Sequence, residues 1–145
     1  MSPIHAIDRG IAAAANAPVA ARLATTNATD SEIAGLRRMF DEFRTEAPAQ
    51  HLEEYSHANI AFHQAIIRLS GSHLMGKTID NLFIHVRAIR KMTISQQDRA
   101  ARSIKDHMRI IEALEQRDTE LAERLVRQHS LDLAAHVERY CDFLD

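Results

Sequence analysis

Apolar positions along this chain recur mostly every three or four residues, the spacing that places side chains on one face of an α-helix. The most informative stretch lies in the middle of the chain, over residues 50–70. Within it Asn59 and His63 share one helical face, and Ile66 continues that face. Gly71 then marks a turn. The pattern predicts a central helix that turns a histidine toward the core.

Comparable patterns predict helices over most of the remaining chain. Thr29 and Glu32 have the spacing of a capping box, in which each side chain hydrogen-bonds to the backbone of the other residue. Ser103 and Asp106 offer a second capping pair, unless their helix begins a few residues earlier. The predicted helices cover residues 11–25, 29–47, 50–70, 73–92, 100 or 103 to 117, and 119–144, with a polar loop over 93–100.

No segment has the alternating pattern of a convincing strand, and only four glycines and three prolines interrupt the chain. Short connections between successive amphipathic helices favour antiparallel neighbours. We therefore predict an all-α fold, an antiparallel bundle of about six helices that forms one domain over residues 1–145.

Composition and charge exclude several classes of protein. The chain has 18 basic and 20 acidic residues and a net charge of −2, which argues against a dedicated nucleic-acid surface. No apolar run approaches the length of about 18 residues that a membrane span requires. The N-terminus lacks the pattern of a secretory signal. The single cysteine, Cys141, excludes an internal disulfide framework and fits a reducing compartment. Together these features lead us to expect a cytoplasmic protein without a membrane partner.

Three of the nine histidines interrupt apolar stripes on three different predicted helices: His63, His107 and His129. Facing helices of a bundle can bring such side chains together in the core. Three neutral imidazoles, with the Asn59 amide oxygen as a fourth ligand, suit Zn²⁺, Ni²⁺ or a similar divalent ion. The alternative is that the histidines are separate, hydrogen-bonded core residues. The spacing alone leaves both interpretations open.

A series of short motifs also occurs in a distinctive order. They are Ala-Arg-Leu-Ala at 21–24, Ala-Thr-Asp-Ser-Glu-Ile-Ala-Gly-Leu-Arg at 28–37, Asn59-x-x-Phe62-His63-x-x-Ile66, Leu69-Ser70-Gly71-Ser72, Val86-Arg87, His107-x-x-Ile110-Ile111-x-Ala113-Leu114, and Asp118 followed by Ala122 and Arg127-x-His129. Between about residues 20 and 140 this set resembles the effector-binding C-terminal domain, the FCD domain, of FadR-type regulators in the GntR family of bacterial transcription factors.

The resemblance implies an all-α bundle with a metal ion at its centre. In metal-binding members an Asp or Asn and three His hold the ion, and the corresponding residues here are Asn59, His63, His107 and His129. Zn²⁺ is the favoured ion, with Ni²⁺ and Mn²⁺ as alternatives. A small carboxylic acid then binds at the metal, assisted by an arginine. Arg87 matches that arginine best, and Arg90 is the second candidate for effector binding.

Two departures from the family pattern affect the expected function. Asn59 stands where Asp is commoner, so the site loses a negative charge and is expected to hold metal more weakly. The winged helix-turn-helix domain that usually precedes this domain is not recognisable in the chain. We therefore expect a homodimeric ligand sensor that acts on DNA only through an attached or partner winged-helix domain.

Two alternative functions remain open on the sequence. One is a metal-dependent enzyme of helical-bundle fold, since a three-histidine site can activate water and Glu54-x-x-His57 has a spacing used in di-iron sites. The second Glu-x-x-His of such a site is missing, and we therefore expect no enzyme. The other alternative is a helical dimerisation module with an inert core.

Overall fold

The computed structural model describes residues 17–45, 52–73 and 99–140. All regular structure within these ranges is helical, which confirms the predicted all-α fold. The helices are α1 over 17–27, α2 over Asp30–Arg38, α3 over Glu42–Thr45, α4 over Leu52–Leu69, α5 over Arg99–Glu115 and α6 over Thr119–Tyr140. The predicted helix over 73–92 lies outside the described residues except for His73.

The start of α2 confirms the predicted capping box. The backbone N–H of Glu32 donates to the Thr29 hydroxyl over 3.1 Å, and the backbone N–H of Thr29 donates to the Glu32 carboxylate over 2.9 Å. The hydrogen bond from the Thr29 backbone is the main cause that lowers the pKa of Glu32 below its ordinary 4.5. Two N–H groups that a helix start would leave without intrahelical acceptors are thus satisfied.

The prediction of one uninterrupted helix over 29–47 is wrong, because α2 ends at Arg38. A tight turn follows, in which the backbone N–H of Phe43 donates to the Phe40 carbonyl over 3.0 Å. Bonds to the third preceding residue wind the chain more tightly than an α-helix does. Phe40 and Phe43, at the two ends of this turn, are both buried, so aromatic burial accompanies the break in the helix. The predicted end of the segment, near residue 47, lies outside the described residues.

The C-terminal end of α4 also has the turn that the sequence predicts. Gly71 has φ of 77°, a left-handed conformation that costs glycine little because it has no Cβ. The Asn27 side-chain amide donates to the Ser70 carbonyl over 2.7 Å. The carbonyl that directly follows α4 is therefore satisfied by a side chain at the end of α1.

The predicted second capping pair is wrong, and the alternative of an earlier helix start is correct. Helix α5 already includes Arg99 and Ala100, which also shortens the predicted polar loop over 93–100. Ser103 and Asp106 therefore lie within the helix rather than at its N-terminus. At its other end α5 meets α6 through a short turn, where the Asp118 carboxylate accepts a hydrogen bond from the backbone of Leu121 over 3.1 Å. This contact confirms the predicted start of α6.

The core lies where α2, α4, α5 and α6 meet. Helix α5 packs against both α2 and α6, and α2 also contacts α4. The largest fully buried side chains of the described residues are mainly apolar or aromatic, but Asn59, His107 and His129 are among them. Within the described parts of the chain, no helix has the length and apolar character needed to cross a membrane.

Candidate metal centre

The three histidines selected from the sequence lie together in the core. His63 comes from α4, His107 from α5 and His129 from α6, and their exposed fractions are 5%, 0% and 1%. One ring nitrogen of each histidine lies within 4.8 Å of a ring nitrogen of the other two. Each side chain interrupts an apolar stripe, so the packing of three helices brings the imidazoles to one point.

The three imidazole rings lie close together in the core. The rings of His63 and His129 are nearly parallel, at 17°, with centroids 5.5 Å apart. The centroid of His107 lies 5.3 Å from that of His63 and 4.9 Å from that of His129. The Nε2 atom of each ring is buried and makes no hydrogen bond within the described residues. The hydrogen bonds of His107 and His129 are made by the other ring nitrogen, Nδ1.

Aromatic rings and one hydroxyl surround His107. The Phe40 ring stacks on it with centroids 5.0 Å apart, and the Phe62 ring lies at 4.7 Å. The Tyr55 hydroxyl lies 3.2 Å from Nδ1 of His107 and donates to the Ser103 hydroxyl over 2.9 Å. The sequence analysis did not identify Tyr55 as a functional residue. Its position four residues before Asn59 was a signal that the two share a face.

His129 is held by a carboxylate. Its Nδ1 lies 3.0 Å from Oδ2 of Asp106, whose side chain is 31% exposed. Asp106 was assigned on the sequence to a helix cap, and its contact with His129 was missed. The two residues belong to different helices, so no spacing rule along one helix connects them.

Asn59 lies one turn before His63 on the same face of α4, as the sequence predicts. It is 2% exposed, and its Oδ1 atom has no hydrogen-bond partner among the described residues. A buried amide oxygen without a hydrogen bond is costly, by about 1–3 kcal/mol. The atom is therefore well suited to bind a cation or an ordered water molecule. Three imidazoles and one amide oxygen form a donor set that fits Zn²⁺ or a similar divalent ion.

The other candidate residues do not join this cluster or cannot be located. Arg87 and Arg90, the candidate effector-binding residues, lie outside the described residues. Glu54 and His57, which suggested a di-iron site, are exposed on α4 and line a surface groove. His73 is exposed as well.

Comparisons with known proteins agree with the all-α architecture and with the sequence motifs. A family model described as the FCD domain matches residues 17–132, a range that contains Asn59 and the three clustered histidines. The HTH-type transcriptional repressor RspR of Escherichia coli (strain K12) is 25% identical over 119 residues, which are 82% of this chain and 52% of that protein. A protein of Shigella flexneri described as the uncharacterized HTH-type transcriptional regulator YdfH matches to the same extent. The chain thus spans about half the length of the curated relatives it matches.

Proposed function

This chain belongs to the FCD domain family, and from that premise we propose that it senses a small carboxylate effector at a metal-containing cavity and thereby controls a transcriptional regulator. FCD domains are regulatory, and the curated relatives are transcriptional regulators, so the expectation that the chain is not an enzyme is confirmed. The observation that carries the metal part of the proposal is the convergence of three buried imidazoles within 4.8 Å.

In this proposal Asn59, His63, His107 and His129 hold one divalent ion, which supplies a Lewis-acid centre for an oxygen ligand. Neutral imidazoles and an amide carry no charge of their own. A dication held by them in the core would keep its charge, and an unpaired buried charge is costly. An anionic oxygen from the effector would offset that cost, which favours a carboxylate over a neutral ligand. Zn²⁺ is the ion that this donor set favours, with Ni²⁺ and Mn²⁺ as alternatives.

The rest of the effector site is proposed from the family resemblance. Arg87, with Arg90 as the second candidate, would pair with the effector carboxylate through charge-assisted hydrogen bonds. Effector binding changes the equilibrium between two helix arrangements only if the effector binds them with different affinity. We propose that this difference is transmitted across a homodimer contact to a winged-helix domain, which would contact the DNA. A cytoplasmic location agrees with regulation of transcription.

Elemental analysis of the purified, untagged protein tests the metal part of the proposal. We expect about one Zn or Ni per chain, or the same content after incubation with Zn²⁺ or Ni²⁺. His129→Ala should lose the metal, Asn59→Ala should bind it more weakly, and the exposed-site control His57→Ala should retain it. A wild-type protein that binds neither ion after incubation would show that the cluster is not a metal site.

A thermal-shift screen then tests the sensing part. Mono- and dicarboxylic acids should raise the melting temperature of the metal-loaded protein, and saturable stabilisation should weaken in Arg87→Ala. Matched amides of the same acids serve as neutral controls. Equal stabilisation by acids and amides would contradict a carboxylate effector, and turnover of the ligand would contradict the role as a sensor.

A further inference from the structure

Two of the clustered histidines each contact a polar side chain that is not itself one of the proposed metal ligands. The Tyr55 hydroxyl lies 3.2 Å from Nδ1 of His107, and the Asp106 carboxylate lies 3.0 Å from Nδ1 of His129. Tyr55 is fully buried, and Asp106 is about one-third exposed. The positions of the protons in these two contacts can be derived from what each group is able to donate.

The hydroxyl of Tyr55 has one hydrogen, and that hydrogen is directed to the Ser103 hydroxyl over 2.9 Å. Toward His107 the phenolic oxygen can therefore act only as an acceptor. The contact at 3.2 Å then requires that Nδ1 of His107 carries the proton. In a neutral imidazole this leaves the lone pair on Nε2.

The same reasoning applies to His129 and leads to the same tautomer. An ionised carboxylate has no hydrogen to donate, so Asp106 accepts from Nδ1–H of His129 over 3.0 Å. Again the lone pair of a neutral ring is on Nε2. The Nε2 atoms of both rings are buried inside the cluster, whereas the Nδ1 atoms point to Tyr55 and Asp106.

We propose that Tyr55 and Asp106 are positioning residues that fix the Nδ1–H tautomers of His107 and His129, so that both Nε2 lone pairs are available to one cation. This inference rests on the proposed metal site and concerns the groups that prepare it. Hydrogen bonds of this kind orient the ring and increase the basicity of the ligating nitrogen, and their loss typically lowers metal affinity by about 10- to 100-fold. Ser103 contributes because its hydroxyl accepts the one hydroxyl hydrogen of Tyr55, which leaves the phenolic oxygen to accept from His107.

Zinc affinity, measured by competition with a chromogenic chelator, is the first test. Tyr55→Phe removes one hydroxyl and keeps the ring, and Asp106→Ala removes the acceptor of His129. Each should raise the zinc dissociation constant by about 10- to 100-fold. Asp106→Asn keeps an acceptor of similar shape without the charge, so its loss of affinity should be smaller than that of Asp106→Ala. Wild-type affinity in both Tyr55→Phe and Asp106→Ala would overturn the inference.

Asp132→Asn is the matched control for the change of charge. Asp132 is exposed on α6, one turn from His129, and its carboxylate accepts a hydrogen bond from Gln128 over 2.8 Å. The Asp132→Asn variant should bind zinc with wild-type affinity. An equal loss in Asp132→Asn and Asp106→Asn would assign the effect to general electrostatics and overturn the positioning role.

Nitrogen-15 NMR of the imidazoles in the metal-free wild-type protein supplies a readout that needs neither metal nor a variant. We expect protonated Nδ1 and unprotonated Nε2 for both His107 and His129. Protonated Nε2 at either ring would overturn the inference even if the protein binds zinc. If the wild type binds no metal but shows the expected tautomers, the metal proposal fails while the positioning contacts stand. The two failures are thereby distinguishable.

Discussion

At residue 117 the chain has an arginine where the backbone conformation favours glycine. Arg117 has φ of 56°, in the left-handed region that residues with a Cβ rarely adopt. The backbone of Asp118 donates to Ala113, and that of Arg117 donates to Leu114, each over 3.0 Å, which is the hydrogen-bond pattern of a Schellman motif. Glycine would make this turn without steric cost, so the arginine side chain must offset the strain elsewhere.

The Arg117 guanidinium joins the end of α5 to the junction between α1 and α2. It donates to the carbonyls of Thr25, over 3.1 Å, and Ala28, and it pairs with the Asp30 carboxylate over 2.6 Å. The last carbonyls of a helix have no intrahelical donor, and a cation near them is favourable. These contacts explain why an arginine is tolerated at a left-handed position.

Substitutions of Arg117 should separate the backbone strain from the side-chain contacts. Arg117→Ala loses the guanidinium contacts and keeps the strain, and we expect a loss of about 2 kcal/mol in the free energy of unfolding. Arg117→Gly loses the same contacts but relieves the strain, so it should be more stable than Arg117→Ala by about 1 kcal/mol. Urea unfolding measures both values. Arg124→Ala, at an exposed site on α6, should change stability by less than about 0.5 kcal/mol. Equal stability of the Gly and Ala variants would contradict the left-handed conformation.

Among the elements, α2 begins at a boundary set by local hydrogen bonds and ends where side chains pack against distant residues. Its start is determined by the reciprocal hydrogen bonds between Thr29 and Glu32, which lie three residues apart. Its end at Arg38 coincides with the burial of Phe40 and Phe43 against side chains of other helices. The centroid of Phe43 lies 5.2 Å from that of Tyr55, and their rings are perpendicular. A capping rule can predict the first boundary but not the second.

The capping box predicts a specific dependence of stability on pH. Because the pKa of Glu32 is lowered in the folded protein, the contribution of its carboxylate is complete above the ordinary value of 4.5 and is lost as the pH falls through the lowered value. Glu32→Gln keeps an acceptor but cannot titrate. The difference in the free energy of unfolding between wild type and Glu32→Gln should therefore change as the pH falls below 4.5, to the disadvantage of the wild type.

Chemical unfolding at a series of pH values measures this difference, and the other carboxylates cancel in the comparison. A difference that stays constant through the acid range would contradict the capping contribution of the carboxylate. Thr29→Ala removes the other half of the box and should lower stability by about 1 kcal/mol at neutral pH.

Over the whole molecule, the histidine cluster joins three helices that are separate in sequence. Residues 63, 107 and 129 come from α4, α5 and α6, so a cation bound by all three would connect these helices directly, in addition to their packing and the hydrogen bonds of Tyr55 and Asp106. Such a ligand binds the folded state and has no comparable site in the unfolded chain. Its binding free energy therefore adds to the stability of the domain.

Metal loading should raise the melting temperature of the protein. At a free Zn²⁺ concentration about 100 times the dissociation constant, the stabilisation is about 2.7 kcal/mol. For a domain of this size that corresponds to a shift of about 5–10 °C, and EDTA should reverse it. Calorimetry of the wild type, His107→Ala and the exposed-site control His57→Ala checks the result. The shift should be absent in His107→Ala and retained in His57→Ala. Equal shifts in all three proteins would contradict stabilisation through the cluster.

Residue type and spacing alone were enough to predict the features that are set by contacts between near neighbours in the chain. They include the capping box at Thr29, the left-handed turn at Gly71 and the shared face of Asn59 and His63. Each depends on hydrogen bonds or side-chain directions within about one helical turn, and residue type and spacing are enough to predict these. The order of the family motifs likewise needs only the sequence.

The packing of the helices determines which distant groups hydrogen-bond to the buried polar atoms. Tyr55 and His107 are 52 residues apart, Asp106 and His129 are 23 apart, and Arg117 and Ala28 are 89 apart. The capping rule assigned Ser103 and Asp106 to a helix start, but within α5 they contact Tyr55 of α4 and His129 of α6 instead. Buried polar groups must find partners, yet only the packing of the helices determines which groups come within 3 Å or so of one another.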